Sequence, residues 1–484
     1  MKVNVGCNAI TMSELAEMCG GMLCLVGGQN NRNVPFNTVC TDSREAENGS
    51  LFVALDGQNV NGHNFIGAAL DRGGQCVLCD HIPENLNGRS YAALVVNDTL
   101  RAIGDLAKAY DRRINHKKIA VTGSVGKTTT KEFIASVLSE HLRLHKTEGN
   151  YNSTLGMPLS LLTMTKDTQV SVLEMGMSNF GEIEYLSRIA EPDIAVITNI
   201  GSSHMEYLES RENICKAKLE VVTGLKSGGL LLLNGDEPLL RNREELSGIR
   251  CEYVGFSEDC DVRATKVKVG TDKTYFDVTY KGITLEGLSI PIVGEHYVYA
   301  ALYAYAIAVN MNLDEDVIER GLSNFRSVGM RQTIFDIGDI TIIQDCYNAS
   351  PESMRASIAV LSNVVRQKEC GRMTALLGDM YELGICSNDA HTSVGMEFAR
   401  RGGSALYTFG SLASTIAEGA IAGGMSSETI FRNVALDRPD ITGEMIISNA
   451  RAGDMLLVKA SRGVKAERVI EYLKANEARL RYGK

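Results

Sequence analysis

Apolar residues in this chain come in short unbroken runs, with helical patterns between them. Leu51–Leu55 and Ala92–Val96 are the early runs, near turn signals at Asn48-Gly49 and Asn61-Gly62. Ile119–Val121, Val170–Leu173, Ile194–Ile197 and Leu230–Leu233 follow, then Thr341–Ile343, Ala375–Leu377, Ala405–Phe409 and Met455–Val458. Runs this short, without polar alternation, predict strands buried on both faces. Alternating with helices, they predict mainly parallel sheets. A helix is expected near 99–112, and Phe133, Ile134, Val137 and Leu138 form a core-facing stripe on another. The fold class is α/β in three blocks: 1–98, 99–329 and 330–484. Parallel sheets bind ligands at the carboxyl ends of their strands. Polar residues fall there: Gly123–Thr130, Glu174, Asn199, His204, Asn234 and Asp236, and in the third block Asp345, Gly378-Asp379 and Lys459.

Composition narrows the function classes. At 484 residues the chain exceeds one ordinary core, so several domains are expected. A net charge of −10 argues against a nucleic-acid partner but leaves room for a local cationic pocket. The first residues carry no apolar signal core and no run is long enough to span a bilayer, so cytoplasmic residence is expected. The 12 cysteines are scattered, which suggests free thiols in a reducing compartment. Cys76-x-x-Cys79 lacks the second pair a zinc site wants and reads as half-buried strand thiols.

The densest chemical signal is Thr122-Gly123-Ser124-Val125-Gly126-Lys127-Thr128-Thr129-Thr130, between a buried strand and an amphipathic helix. Glycines let the backbone approach a ligand closely, and helix-start amides favour an anion. Lys127 can reach outer phosphates and the Thr128 hydroxyl can ligate Mg²⁺. A strict phosphate-loop pattern would have glycine where Val121 stands, so the pattern is a narrower variant. It predicts binding of a nucleoside triphosphate. Glu174 ends a strand and can hold Mg²⁺ directly or through water; the plain alternative is a capping or salt-bridged acid. His204 follows the next strand and is a weaker candidate. Lys216-Ala217-Lys218-Leu219-Glu220 alone reads as a solvated helix face. Thr41-Asp42-Ser43-Arg44 either cradles a phosphate or caps a helix.

Taken together, these segments resemble the Mur ligases in chain order. The resemblance rests on TDSR (41–44), TGSVGKTTTKE (122–132), TEGNYNS (147–153), LEMGMS (173–178), ITNIGSSHMEYL (197–208) and KAKLE (216–220). It continues through GEHYVYAAL (294–302), GMRQ (329–332), DCYNASPESM (345–354), LGDMYELG (377–384) and LVKASRG (457–463). It covers nearly the whole chain. Within the family, YNASPESM and KTTTKE look like the member that adds D-Ala-D-Ala to UDP-MurNAc-tripeptide. The TGTNGKTTT and D-N-P-R strings of the tripeptide-forming relatives are absent.

The resemblance implies a UDP-sugar domain, a central ATPase and a C-terminal Rossmann-like domain. It implies ATP, a pair of Mg²⁺ ions, and the substrates UDP-MurNAc-tripeptide and D-Ala-D-Ala, joined through an acyl phosphate. A monomer is expected. Lys127, Glu174, His204, Lys218 and Lys459 match catalytic positions, and Thr128, Glu174, His204 and Lys218 match metal ligands. Lys218 matches a carbamylated lysine, with Lys216 as the rival position. Gly123, Ser124, Val125, Gly126, Thr128, Thr129, Asn150, Arg331, Asp345 and Tyr347 match nucleotide contacts. Ser43, Arg44, Asn152, Ser153, Thr154, Asn348 and Ser461 match substrate contacts. The family pattern G-x-H-N-x-x-N offers asparagines to adenine, whereas Tyr297 and Ala300 stand at those places here. Rival readings are another ligase of the superfamily, such as the tripeptide-forming one, and a phosphate-loop switch without chemistry. The switch needs neither Glu174, His204 and Lys218 together nor a third domain.

Overall fold

Strands form where the apolar runs lie. In a computed structural model of the chain, which describes residues 1–57, 60–86, 88–241, 243, 246–368 and 371–482, packing defines two units. The first comprises Met1–Thr122, Leu142–Ala195 and Glu220–Leu230, and the second Gly123–His141, Val196–Leu219 and Leu231–Lys484.

The first unit contains a six-stranded sheet ordered Lys2–Asn4, Thr38–Cys40, Ser50–Val53, Cys76–Cys79, Tyr91–Val95, Met22–Val26. Its middle four strands are parallel and its two edges antiparallel. Phe52, Val77, Tyr91 and Ala93 fill one core against Ile66 and Ala69. Cys76 and Cys79 are wholly buried instead of half-buried, because their strand lies between two others. Burial pushes both thiols up to about 12. Asn61-Gly62 opens a short 3-10 helix, Gly62–Phe65, whose His63 amide donates to Asn61 Oδ1 at 2.8 Å. The helix Thr99–Asp111 is capped by Asp98, which accepts from the Arg101 amide.

The same unit holds three parallel strands, Leu144–Lys146, Val170–Glu174 and Lys117–Thr122. The register sets Glu174 opposite Val121, so this acid sits at the carboxyl end of its strand.

In the second unit the helix Lys127–Leu138 packs on the helix His296–Asn310. Phe133 stacks on Phe325 with ring centroids 3.6 Å apart. The C-terminal sheet runs Thr333–Ile337, Ile340–Gln344, Met455–Lys459, Met373–Gly378, Ala405–Phe409, Ile430–Asn433, parallel apart from its first, antiparallel pair. Met455 and Leu457 face one core and Leu456 and Val458 the other. Two buried faces are the physical reason these runs show no alternation. The apolar runs gave no signal for the strands Arg250–Gly255, Val262–Val269, Thr274–Tyr280 and Ile283–Ile290. The last three form an antiparallel meander with many exposed positions. Among the described residues, no helix is long and apolar enough to cross a membrane.

Candidate active site

The glycine turn is clamped from the strand-end segment that follows Ile194–Ile197. The Ser124 amide donates to the Asn199 carbonyl at 3.1 Å and the Val125 amide to Asn199 Oδ1 at 2.8 Å. The Thr198 hydroxyl donates to the Val125 carbonyl at 2.6 Å. Gly123 has φ 146, and a Cβ there would lie 1.8 Å from Thr198 Oγ1. Gly126, at φ 85, turns the chain into the helix Lys127–Leu138, whose first turn no side chain caps. Its first-turn amides therefore point outward with the helix dipole behind them, an arrangement suited to a phosphate. Lys127 Nζ curls back to the Gly123 carbonyl at 2.8 Å, which sets the ammonium over the turn. Asn199 was visible as a strand-end residue, but its hold on two turn residues is a finding of the structure.

Arg331 and the C-terminal segments approach the same turn. Arg331 Nη2 donates to Thr128 Oγ1 at 3.1 Å, and its guanidinium lies 4.3 Å over the Tyr347 ring. Arg462 lies over the same ring at 5.9 Å. Lys459 is buried and pairs with Asp345 at 2.6 Å, also donating to the Asn348 carbonyl at 3.2 Å. Asp345 further accepts from Ser357 at 2.6 Å. Asp345, the Asn348 carbonyl and the buried Lys459 thus form one polar knot at the ends of neighbouring strands. Ser461 accepts from the Tyr381 amide at 3.0 Å. Tyr297, at an adenine position of the resembled pattern, is buried against His296 with centroids 4.0 Å apart, and Ala300 is buried too. Burial, with Asp345 nearby, pushes the Tyr297 hydroxyl well above the ordinary tyrosine range, so it stays neutral.

His204 heads the short helix Met205–Leu208 in a left-handed conformation, φ 66, and its Nδ1 lies 2.6 Å from Glu382 Oε2. That close contact holds the Glu382 carboxyl below its ordinary range. Two residues earlier, the Ser202 hydroxyl donates to Glu352 Oε1 at 2.6 Å. Glu352 and Glu382 are contacts that residue-type reasoning did not pick out; each lay inside a quoted motif without an assigned role.

Lys218 and Lys216 are separated by the structure. Lys216 is exposed, whereas Lys218 is 1% exposed. Burial and the nearby Lys127 ammonium hold the Lys218 amine well below the ordinary lysine range. The helix Arg211–Leu219 turns Lys218 inward with Ile214, Cys215 and Ala217, so this stretch is not wholly a solvated face.

In the first unit, Glu174 Oε1 accepts from Asn152 Nδ2 at 2.8 Å, and the Glu174 amide donates to Thr147 Oγ1 at 3.0 Å. A Cβ on Gly176 would press the Asn152 amide at 3.2 Å, so this glycine makes room for that pair. Ser153 Oγ accepts from the Gly156 amide at 3.1 Å, and Asn150 and Ser153 are exposed, Thr154 partly so. Ser43 is buried in a short 3-10 turn capped by Asp42. Arg44 is exposed and folds back on Asp42 through a bidentate contact, Nε–Oδ1 2.9 Å and Nη2–Oδ2 2.6 Å. The capping reading of this segment is present: Asp42 caps the turn and also takes the Arg44 guanidinium.

His63, Asp80 and His81 also cluster here, the two rings stacked at 4.4 Å. His63 Nε2 accepts from the Asp80 amide at 3.1 Å and Nδ1 meets Asn61 Oδ1 at 2.9 Å. Both nitrogens are engaged, which disfavours a metal there.

The Mur ligase middle domain model matches residues 121–308, the Mur ligase glutamate ligase domain 330–462, and the Mur ligase family catalytic domain 35–117. The chain is 39% identical to the UDP-N-acetylmuramoyl-tripeptide–D-alanyl-D-alanine ligase of Bacillus subtilis, over 96% of this chain and 98% of that protein. It is 33% identical to the Synechocystis ligase of the same name, over 93% and 95%. Among solved structures it resembles MurF from Acinetobacter baumannii with TM-score 0.86 and 28% identity, covering 97% and 100% of the two chains. It also resembles the MurF ligase from Thermotoga maritima in complex with ADP, with TM-score 0.80 and 27% identity over 91% and 97%.

Proposed function

The chain belongs to the Mur ligase family, and on that premise we propose that it joins D-Ala-D-Ala to UDP-MurNAc-tripeptide, coupled to ATP cleavage. It is an ATP-dependent ligase of peptidoglycan synthesis, and its product is UDP-MurNAc-pentapeptide. The observation that carries this is likeness along the full length to ligases of that name.

A carboxylate is a poor electrophile, so the tripeptide's terminal carboxylate must first take the γ-phosphoryl group. The dipeptide amine then attacks the acyl phosphate and inorganic phosphate leaves. Phosphoryl transfer is mainly alignment and charge neutralisation. The amides after Gly126, with Gly123, Ser124, Val125 and Thr129, hold the phosphates, and Lys127 neutralises the outer ones. Asn150, Arg331, Asp345 and Tyr347 complete the nucleotide contacts. Ser43 and Arg44 take the UDP diphosphate. Asn152, Ser153, Thr154, Asn348 and Ser461 face the peptide substrates, and Lys459 the reacting centre.

The donor set suits Mg²⁺. Thr128 Oγ1 already accepts from a cation, the Arg331 guanidinium at 3.1 Å, and Glu174 supplies a hard carboxylate oxygen. Thr128, Glu174, His204 and Lys218 would hold the ions, which neutralise phosphate charge when bound. Lys218 would do so as a carbamate. Carbamate formation needs an unprotonated amine, and the buried Lys218, its pKa lowered by burial and Lys127, supplies one.

We assign residues 1–98 to the UDP-linked acceptor, 99–329 to ATP and 330–484 to the C-terminal domain; the matches at 121–308 and 330–462 lie within the last two. A reaction using ATP and a UDP-linked sugar belongs in the cytoplasm, where the protein is proposed to act as a monomer. The test is a phosphate-release panel: UDP-MurNAc-peptides of different length crossed with D-Ala-D-Ala and with single amino acids. Release only with the tripeptide and the dipeptide together is expected. Release with a shorter acceptor and one amino acid would overturn the assignment.

A further inference from the structure

The glycine turn has an acidic neighbour with no role in the proposed reaction. Glu352 lies in the first turn of the helix Pro351–Lys368. Its Oε1 accepts twice from Ser202, from the hydroxyl at 2.6 Å and from the amide at 3.2 Å. Its Oε2 is closed to solvent and, among the described residues, has no hydrogen-bond partner; the same holds for Ser124 Oγ in the turn itself. Gly201 lies against both residues. A Cβ there would sit 3.2 Å from Glu352 Oε2 and 3.2 Å from Ser124 Cβ, so the missing side chain leaves the carboxyl and the serine bordering one gap. An acid in a first helical turn is favoured by the helix dipole, which explains the charge but not the unpaired oxygen. Nor is Glu352 needed to hold the helix start. Ser350 and Ser353 do that, each amide donating to the other's hydroxyl, at 2.9 and 3.3 Å. A buried acceptor without a donor is costly, most of all when it is charged. Beside a turn that binds anions, such an oxygen calls for a cation.

The chemistry of the two groups narrows the cation. A hydroxyl and a carboxylate oxygen both accept, and a primary ammonium brings three donors and no acceptor. Peptide α-amines are largely protonated at neutral pH. Mg²⁺ asks for octahedral oxygens and keeps several waters, too large a group for a gap that one Cβ would crowd. An ammonium is the size of a single water. Glu352 as a whole is half-buried, so a turn of its side chain opens the gap. We propose that Glu352 binds the ammonium of the incoming D-Ala-D-Ala: Oε2, with Ser124 Oγ beside it, accepts from that group and holds the amine against the phosphate turn, while Ser202 anchors the other oxygen. The identity of the amine rests on the D-Ala-D-Ala reading; the preference for a cation rests on the contacts alone. Glu352 is thus a specificity residue, selecting an amine over a hydroxyl of the same shape. It follows Asn348 in one segment, so it extends a stretch assigned to the peptide substrates.

The test is phosphate release by the full-length protein near pH ~7.5, with ATP and UDP-MurNAc-tripeptide saturating and D-Ala-D-Ala varied. Glu352→Gln keeps the shape and an oxygen for Ser202 and removes the charge. It is expected to raise the KM of D-Ala-D-Ala about tenfold or more. The KM values of ATP and of the UDP-linked acceptor should stay within about twofold. D-Lactoyl-D-alanine, with a hydroxyl in place of the ammonium, is the neutral probe, and its inhibition constant should move by less than about threefold in the variant. The preference for amine over hydroxyl then collapses, whereas loss of a merely structural contact would weaken both ligands alike. The Mg²⁺ concentration for half-maximal rate should be unchanged. If Glu352→Gln melts early, Glu352→Met takes its place, since it keeps the stem and lacks the charge. An unchanged KM for D-Ala-D-Ala would overturn the proposal, as would an equal loss for both ligands. A raised Mg²⁺ requirement, or tighter ATP binding, with the dipeptide KM unchanged would give the oxygen to a metal or make it a rival of phosphate, and would overturn it too. If the wild type uses a single amino acid instead, the D-Ala-D-Ala reading fails, and comparing that amino acid with its hydroxy acid decides the role of Glu352 in the same way.

Discussion

Replacing Gly123 by alanine should separate nucleotide binding from folding. The new Cβ would lie 1.8 Å from Thr198 Oγ1, 3.0 Å from Thr198 Cβ and 3.1 Å from the Thr198 amide nitrogen, where ordinary contact begins at 3.4 Å. Thr198 cannot swing aside without losing its 2.6 Å hydrogen bond to the Val125 carbonyl. That bond contributes roughly 0.5–1.5 kcal/mol. The backbone at φ 146 adds strain for any residue with a Cβ, on the order of 1–3 kcal/mol. The turn relieves both by leaving the Thr198–Asn199 clamp, so the cost falls on the conformation that holds phosphates. A loss of about 2 kcal/mol corresponds to about 30-fold in affinity. ATP titration by calorimetry, with the KM for ATP from phosphate release, should show a drop of that order, while thermal unfolding shifts little. Thr198→Ala removes the worst contact, so Gly123→Ala/Thr198→Ala should lose less than the two single variants added together. Wild-type ATP affinity in Gly123→Ala would refute the reasoning, as would full additivity in the double variant.

Other outcomes follow from the same residues. Lys127→Ala should nearly abolish phosphate release while far-UV circular dichroism and melting stay close to wild type; near-normal turnover would remove its assigned role. Arg44→Ala should raise the KM for the UDP-linked acceptor and leave that for ATP unchanged, with little loss of stability, because the side chain is exposed. Lys218→Ala should lose most activity, part of which a short carboxylic acid restores, whereas the exposed Lys216→Ala should be mild; full activity of Lys218→Ala in CO₂-free buffer would exclude the carbamate. Burial, with the nearby His116, pushes His145 down to about 4. The unfolded chain therefore takes up its proton first as pH falls below ~6.5. Stability present at neutral pH should fall toward pH ~4, at up to about 1.4 kcal/mol per pH unit from this group. Denaturant titrations across that range should show a flatter dependence for His145→Gln.

The sequence by itself determined the parallel strands, the glycine turn and the side chains available for phosphate and metal chemistry. Those features are local: a strand buried on both faces needs an unbroken apolar run, and a phosphate-binding turn needs glycines beside a helix start. It also marked Cys76–Cys79 as strand, though only the neighbouring strands decided that these thiols are wholly buried. The meander at 262–290 was illegible because polar residues interrupt its strands, even in the largely buried Thr274–Tyr280. The tertiary structure alone decided between Lys216 and Lys218, since which helix face points inward depends on what packs against it. It alone paired Lys459 with Asp345, Arg331 with Thr128 and His204 with Glu382. Each pair joins residues more than a hundred positions apart, and a charge or ring nitrogen carries no sign in the sequence of the distant partner that fixes its state.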